Sequence, residues 1–186
     1  MHIVITGGMG CGKSTVTSYL KSCFQNYHFY DMDERVRALY NDRNMQDSLD
    51  SMFGTHHRKQ ISDIVFSNKE ARERLYRLMN AIIFKQVADQ RDYKNVFYDI
   101  PLYWENSDLQ STIHPDAVIC ISCSAETQKQ RIRSRDSISD EKIQSILSLQ
   151  KSLSEKEDLS DYVIRTDGTH EDTINQLTHV LIEIGM

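Results

Sequence analysis

The chain has 186 residues, of which 39% are hydrophobic and 26% are charged, and its formal net charge is -5. This length and composition fit one soluble globular domain with a real core. No apolar run approaches the length of a membrane span, no secretory signal is present, and a negative chain disfavours wholesale binding to nucleic acid. We therefore expect a cytoplasmic protein without a membrane or nucleic-acid partner, either a monomer or a small homo-oligomer.

Apolar runs alternate along the chain with helical patterns, which predicts an α/β fold with a parallel sheet wrapped by helices. The predicted strands are His2–Thr6, His28–Asp31, Asn95–Ile100, Ala117–Ser122 and Tyr162–Thr166. The predicted helices are Gly12–Phe24, Asp33–Asn41, Lys69–Gln90, Ala125–Arg135, Asp140–Leu153 and His170–Ile184. Ser124, Ser139 and Thr169 are predicted N-caps, because acidic residues follow each of them in the first helical turn.

A glycine-rich stretch, GGMGCGKST at residues 7–15, joins the first predicted strand to the first predicted helix. Gly7, four residues and then Gly12-Lys13-Ser14 form the complete phosphate-binding loop pattern. In such a loop, backbone N–H groups and the positive end of the helix dipole attract phosphate. Lys13 can contact the β- and γ-phosphates, the Ser14 hydroxyl can ligate Mg²⁺, and Thr15 can contact the α-phosphate. The pattern therefore predicts a nucleotide site that includes Gly8, Gly10, Cys11, Gly12, Lys13, Ser14 and Thr15.

Two segments are longer than plain alternation of strands and helices requires. The mostly helical stretch 41–94, between the second and third strands, exceeds a simple crossover and predicts an inserted subdomain. Residues 134–159 are dense in charge and serine, and they suit either a mobile helical lid over the phosphate site or an ordinary solvated helix pair.

Acidic residues follow three of the predicted strands at the edge where open α/β sheets place their chemistry. Asp31 and Asp33 follow the second strand, and Asp33 could accept a proton from an attacking alcohol or could simply cap the next helix. Asp99 follows the third strand and could hold Mg²⁺ through water or cap its loop. Asp167 follows the fifth strand.

Three arginines, Arg131, Arg133 and Arg135, lie on the helix that enters the lid segment. Arg131 and Arg135 are four residues apart and share one helix face. A guanidinium that reaches a transferring phosphoryl group stabilises its charge, whereas an isolated surface arginine often forms only an ion pair. The pattern favours a role in phosphoryl transfer.

Cys120 and Cys123 form a CxxC motif, and Cys11 and Cys23 complete the four cysteines. Because side chains alternate along a strand, Cys120 and Cys123 should face opposite sides. We interpret both as reduced core thiols rather than as a redox or zinc pair, which agrees with a cytoplasmic protein. Cys11 could be sensitive to oxidation or could simply be a small residue tolerated in the loop.

These motifs together resemble the dephospho-CoA kinase family, and the resemblance runs nearly end to end. The matching stretches are TGGMGCGKSTV at 6–16, YDMD at 30–33, IVFSN at 64–68 with Arg58 before it, DIPLYWE at 99–105, and ETQKQRIRSRD at 126–136. The closing pattern of the family fits Gln150, Lys156 and SDYVI at 160–164. The phosphate loop alone is widespread, but the later stretches in this order are far more specific.

The resemblance implies a P-loop NTPase fold of the nucleoside-monophosphate-kinase-like kind, a three-layer sandwich with a five-stranded parallel sheet. Within the single kinase domain 1–186, it implies a helical acceptor-binding insertion at 41–94 and a helical lid at 134–159. It further implies an enzyme that uses Mg²⁺ and ATP to phosphorylate the ribose 3′-hydroxyl of dephospho-CoA, which gives coenzyme A and ADP in the final step of coenzyme A biosynthesis.

The resemblance also assigns roles to individual residues. Asp33 is the implied base, and the other implied catalytic groups are Lys13 and Arg135, with Arg135 and Asp167 also contacting ATP. The implied acceptor-binding residues are Asp33, Arg58, Pro101, Leu102 and Glu105. Two alternatives stay open: a nucleoside or nucleotide kinase of the same fold, and a non-catalytic ATP-binding switch protein.

Overall fold

A computed structural model of the chain describes residues 1–136 and 138–186. Its five strands are β1 (His2–Gly7), β2 (His28–Asp31), β3 (Val96–Asp99), β4 (Ala117–Ser122) and β5 (Tyr162–Arg165). They form one parallel sheet in the order β2-β3-β1-β4-β5. Each predicted strand is therefore confirmed, with bounds that differ by at most one residue.

The helices in the described part of the chain are α1 (Lys13–Cys23), α2 (Met32–Leu39), α3 (Arg43–Phe53), α4 (Arg58–Ser67), α5 (Lys69–Asp89), α6 (Ser107–Thr112), α7 (Ala125–Asp136), α8 (Asp140–Leu147), α9 (Leu153–Leu159) and α10 (His170–Glu183), with a 3₁₀ turn at Gln90–Asp92. The predicted N-caps are confirmed: the hydroxyls of Ser124, Ser139 and Thr169 each accept a bond from the backbone N–H three residues later.

The single helix predicted over Asp140–Leu153 is wrong, because two helices occupy that stretch and the residues after it. Helix α8 ends at Leu147, and α9 begins at Leu153. Ser152 starts α9 with a capping box, in which its hydroxyl accepts from the Glu155 N–H and the Glu155 carboxylate accepts from the Ser152 N–H. A capping box satisfies two N–H groups at a helix start, so it favours a new helix over continuation of the previous one.

The chain divides into two compact units, Met1–Tyr30 with Asp92–Met186, and Asp31–Arg91. In the first unit, β1 and β4 are almost entirely buried, as expected for parallel strands covered on both faces. Ile3, Ile5, Ile119 and Ile121 pack with residues of α1 and α10 on one face of the sheet. On the other face, Ser122 of β4 bonds Glu157 of α9. Helices thus cover both faces, which gives three layers.

After Asp31, the regular structure of the second unit consists of helices α2 to α5, joined by short turns and loops, and the start of the 3₁₀ turn. Its buried side chains include Leu49 of α3, Ile61 of α4 and Ile83 of α5. Side-chain caps start three of its helices: Asp31, Asp42 and Asn68 each accept a bond from the N–H three residues later. This unit overlaps most of the segment 41–94, whose role as an acceptor-binding insertion stays a prediction.

Within the described residues, no helix combines the length and the apolar character needed to cross a membrane.

Candidate active site

The phosphate loop lies between the last residue of β1, Gly7, and the first residue of α1, Lys13. Gly12 is the N-cap of α1 with φ 83° and ψ 15°, in the left-handed region that favours glycine, and no side chain caps the helix. Gly12 has no side chain to accept from the first N–H groups of α1, which leaves them suited to an anion. Ser14 and Thr15 are exposed in this first turn.

The start of the loop is packed too closely for any side chain. A Cβ at Gly7 would collide with the backbone carbonyl of Ile121, and one at Gly8 would lie 2.5 Å from Leu153 Cδ2 and 2.7 Å from Gln128 Nε2. The loop thus runs against β4, α7 and α9, so that its path is fixed by packing as well as by its own turns.

Lys13 forms an ion pair with Asp99, the last residue of β3. The two side chains are only 15% and 9% exposed, and Asp99 is level with Ile5 of β1 in the sheet. Strand order brings them together, because β3 is the direct neighbour of β1. The sequence assigned Lys13 to phosphate and Asp99 to the metal, and the structure brings the two into one charged centre.

Thr166 connects the end of β5 to the loop. Its hydroxyl donates to the Cys11 carbonyl at 2.8 Å and accepts from Arg131 Nη1 at 2.8 Å, and Arg131 Nη2 donates to the Thr166 carbonyl at 2.6 Å. Thr166 therefore links the loop to the end of β5, and Arg131 holds Thr166 in place. The arginine that shares its predicted face, Arg135, bonds instead to its neighbour Asp136 and is 61% exposed.

Asp167 lies next to the start of α7. Its two carboxylate oxygens accept from the Ser124 N–H at 2.9 and 3.0 Å. This backbone donor, helped by Thr127, lowers the pKa of Asp167. The residue predicted to contact ATP thus also holds the N-terminus of α7 against the end of β5.

Gln128 is a residue of the site to which the sequence assigned no role. It is buried in α7, and its Nε2 donates to the Met9 carbonyl of the loop at 2.8 Å. Its position four residues before Ile132, which is fully buried, was the available signal: a polar residue on a buried helix face must find a polar partner.

The Pro101–Glu105 stretch is held by a fully buried lysine, Lys156 of α9. Its ammonium donates to the Pro101 carbonyl at 3.1 Å and pairs with Glu105 Oε1 at 2.9 Å. Thr6, just before the loop, donates to the same Pro101 carbonyl at 3.1 Å. Glu105 Oε1 also accepts from the Lys151 N–H at 3.0 Å, and its Oε2 has no hydrogen-bond partner in the described chain.

Of the predicted acceptor-binding residues in this stretch, Leu102 is 43% exposed and available to a ligand. Glu105 is 17% exposed and already paired with Lys156. The family resemblance places Lys156 in the closing motif. The spacing between Glu105 and Lys156 along the chain does not predict that they form a buried ion pair.

Asp33 and Arg58 belong to the second unit. Asp31, not Asp33, caps α2 and accepts from the Glu34 N–H at 2.9 Å, so the capping alternative for Asp33 is wrong. Asp33 is exposed in the first turn of α2. The Arg58 guanidinium lies over the ring of Tyr40, 5.8 Å from its centre, a cation–π contact.

Comparisons with known proteins agree with these features. A family model described as dephospho-CoA kinase matches residues 1–172. The chain is similar to a dephospho-CoA kinase of Streptococcus mutans, at 31% identity over 94% of this chain and 93% of that protein. It is also similar to a dephospho-CoA kinase of Lactobacillus acidophilus, at 29% identity over 98% and 96% of the two chains.

Its fold is similar to that of TT1252 from Thermus thermophilus, with a TM-score of 0.80 at 24% identity, over 100% of this chain and 98% of that one. The phosphate loop, its Lys13–Asp99 pair and the match along nearly the whole sequence lead to one conclusion. The chain belongs to the dephospho-CoA kinase family.

Proposed function

We propose that the chain transfers the γ-phosphoryl group of ATP to the ribose 3′-hydroxyl of dephospho-CoA and so releases coenzyme A and ADP. The observation that carries this proposal is the complete phosphate loop, whose Lys13 meets Asp99 at the carboxyl ends of neighbouring strands. Family membership supplies the acceptor, and it supports this reaction over a nucleoside kinase or a switch protein.

The phosphates of ATP would lie over the loop. Glycines 8, 10 and 12 would surround them with backbone N–H groups, Cys11 would line the same loop, and Thr15 would reach the α-phosphate. Lys13 would leave Asp99 for the β- and γ-phosphates, because its ammonium would exchange one negatively charged partner for another. Asp167 would contact the adenine side.

The oxygen donors beside Lys13 fit Mg²⁺. The exposed Ser14 hydroxyl would bind the ion directly, and the Asp99 carboxylate would bind it through water. Outside position 137, the chain has no group of three or more His, Cys, Asp or Glu side chains placed to hold a metal ion, which suits an ion held largely by phosphate oxygens and water. When bound, Mg²⁺ supplies neutralisation of phosphate charge.

The proposed acceptor-binding residues come from the family resemblance; Asp33 and Arg58 belong to the second unit, and Pro101, Leu102 and Glu105 belong to the first. Asp33 would accept the proton of the attacking 3′-hydroxyl, a role supported by its exposure and by the fact that another residue caps α2. Arg58, Pro101, Leu102 and Glu105 would bind dephospho-CoA. Arg135 would stabilise the transferring phosphoryl group; its partner Asp136 is a sequence neighbour, so little structure opposes its release.

We propose the same larger-scale organisation that the sequence predicted. Residues 41–94 would bind the acceptor, and 134–159 would close as a lid over ATP. The kinase would work in the cytosol as a monomer or small homo-oligomer; four unpaired cysteines support a reducing compartment.

The test is ADP formation from Mg-ATP with and without dephospho-CoA. We expect strong dependence on the acceptor, and loss of turnover of about 100-fold or more for Lys13→Met, since removal of one electrostatic group commonly costs that much. Lys21→Met, in the same helix, should leave turnover nearly unchanged. ADP formation that ignores dephospho-CoA, or proceeds equally without the Lys13 ammonium, would rule out the proposed reaction.

A further inference from the structure

Two buried cysteines far apart in sequence meet behind the phosphate loop. Cys11 lies within the loop, and Cys123 follows directly after β4. Their sulfurs are 3.4 Å apart, their exposures are 0% and 2%, and neither is in a disulfide. Cys120, the other cysteine of the CxxC motif, is level with Thr6 of β1 in the sheet.

A small movement would bring the sulfurs of Cys11 and Cys123 within disulfide bonding distance. A disulfide needs sulfurs about 2.05 Å apart, so they would have to approach by about 1.4 Å. Gly10 and Gly12 flank Cys11 with φ of 79° and 83°, and the approach would take place during local opening of this packed loop. Cys11 is otherwise held through its backbone, with its N–H donating to Gly8 at 3.2 Å and its carbonyl accepting from Thr166 at 2.8 Å.

We propose that Cys11 and Cys123 form an oxidative modification site, a dithiol that hydrogen peroxide converts to an intramolecular disulfide across the phosphate loop. The Cys123 sulfur attacks one peroxide oxygen, which breaks the O–O bond and gives a sulfenic acid and, with the thiol proton, one water. The Cys11 sulfur then attacks the sulfenic sulfur and expels a second water. Two thiols lose two electrons, hydrogen peroxide gains them, and a small-molecule dithiol reverses the change.

The environments of the two sulfurs determine which one attacks peroxide and which one attacks the sulfenic acid. The contact with Cys11 lowers the pKa of Cys123, and the nearby Arg131 guanidinium adds to this effect. The same contact and burial raise the pKa of Cys11. Cys123 is therefore the sulfur that ionises first, and the thiolate is the form that attacks. Burial raises the pKa of Cys120 to about 11, so this neighbour stays a thiol.

Peroxide, which is close to water in size, would reach the pair during local opening of the loop. Gln128 contacts the pair, with its Nε2 3.8 Å from Cys11 Sγ. Once formed, the bond would draw Cys11 toward β4 and displace the N–H groups proposed to bind phosphate. This functional consequence rests on the proposed function, whereas formation of the bond does not.

The experiment uses the 186-residue chain carrying Cys23→Ser, which removes the exposed thiol. The protein is treated with hydrogen peroxide and digested with trypsin without reduction. Trypsin yields residues 1–13 with Cys11 and residues 95–129 with both Cys120 and Cys123. We expect these two peptides to be linked by mass spectrometry. Cys120→Ala should keep the link, and Cys123→Ala or Cys123→Ser should lose it.

Mg-ATP affinity, measured by calorimetry on the same samples, gives the functional readout. We expect at least a tenfold weaker affinity after oxidation, recovery with dithiothreitol, and no change in Cys123→Ala. Absence of the 1–13 to 95–129 link when other thiols are oxidised, or a link that survives both Cys123 variants, would overturn the site. A reduced protein that binds no Mg-ATP would instead refute the proposed function and leave the peptide result standing.

Discussion

The phosphate-loop region of the first unit and the helices of the second unit hold their charged residues in opposite ways. Around the loop, Lys13 pairs with a residue 86 positions away, Arg131 bonds one 35 positions away, and Lys156 bonds one 55 positions away. In the second unit, the caps Asp31 and Asp42 bond N–H groups three positions away.

This difference separates two uses of charge. Buried charges with distant partners fix the positions of loops, so a substitution there should change stability or binding geometry. Local caps stabilise their own helices, whereas an exposed charge that caps no helix contributes little to the fold, so a substitution there should affect function alone. Substitutions at Asp33, Lys156 and Gln128 should therefore separate residues that hold the fold from residues that act only in function.

Asp33→Asn should produce the largest effect and should leave the fold intact. Asp33 is exposed and does not cap α2, so the amide should keep the melting temperature within about 1 °C. If Asp33 accepts the proton, kcat should fall by about 1000-fold, within the range for loss of a general base. Steady-state kinetics and thermal unfolding on the same sample measure both.

Asp47→Asn, an exposed carboxylate of α3 in the same unit, is the matched control and should change neither quantity. An Asp33→Asn enzyme with normal kcat would remove this residue from the chemistry. One that unfolds early would place it with the residues that hold the fold.

Lys156→Met, in contrast to Asp33→Asn, should destabilise the fold. The substitution leaves Glu105 buried without its cation, and breaking a buried ion pair from one side costs about 3–5 kcal/mol of unfolding free energy. Urea denaturation measures this loss, and Lys151→Met, a less buried lysine nearby, should cost less than about 0.5 kcal/mol.

The double variant Lys156→Met with Glu105→Gln sharpens the result, since it removes both charges. We expect it to recover about half of the lost stability, because an amide is cheaper to bury than an unpaired carboxylate. Equal stability of Lys156→Met and the native protein would show that the pair does not hold the Pro101–Glu105 stretch.

The contrast between local and long-range contacts also explains which features could be predicted from the sequence. The five strands were found because buried parallel strands form short continuous apolar runs, such as AVICIS at 117–122. The phosphate loop was found because all its residues are consecutive. Helix caps such as Ser139 and Thr169 were found because a cap bonds its own helix, three residues on.

Contacts between distant residues gave no such signal. Thr166 meets Cys11 across 155 positions, and Cys123 meets Cys11 across 112, although the sequence directs attention to the neighbouring Cys120. The break between α8 and α9 was missed because a continuous apolar pattern outweighed the capping box at Ser152. The order of the strands in the sheet brings Thr166 and Cys123 close to Cys11, and spacing along the chain does not encode that order.

Gln128→Leu tests the smallest of these long-range effects. Leucine keeps the helix and most of the volume but removes the donor to the Met9 carbonyl, which lies 119 positions away in the phosphate loop. Loss of one partner of a buried hydrogen bond costs about 1–3 kcal/mol. Because the freed carbonyl would turn toward water, we expect part of that cost to appear as misplacement of the loop.

The expected result is a Kd for Mg-ATP raised by about tenfold, which corresponds to about 1.4 kcal/mol. Gln130→Leu makes the same change two residues away on the exposed side of α7 and should bind Mg-ATP normally in calorimetry. If both variants bind alike, the bond to Met9 does not set the shape of the loop. If only Gln128→Leu is weakened while its kcat at saturating ATP is retained, buried contacts in this region position the nucleotide and take no part in the chemistry.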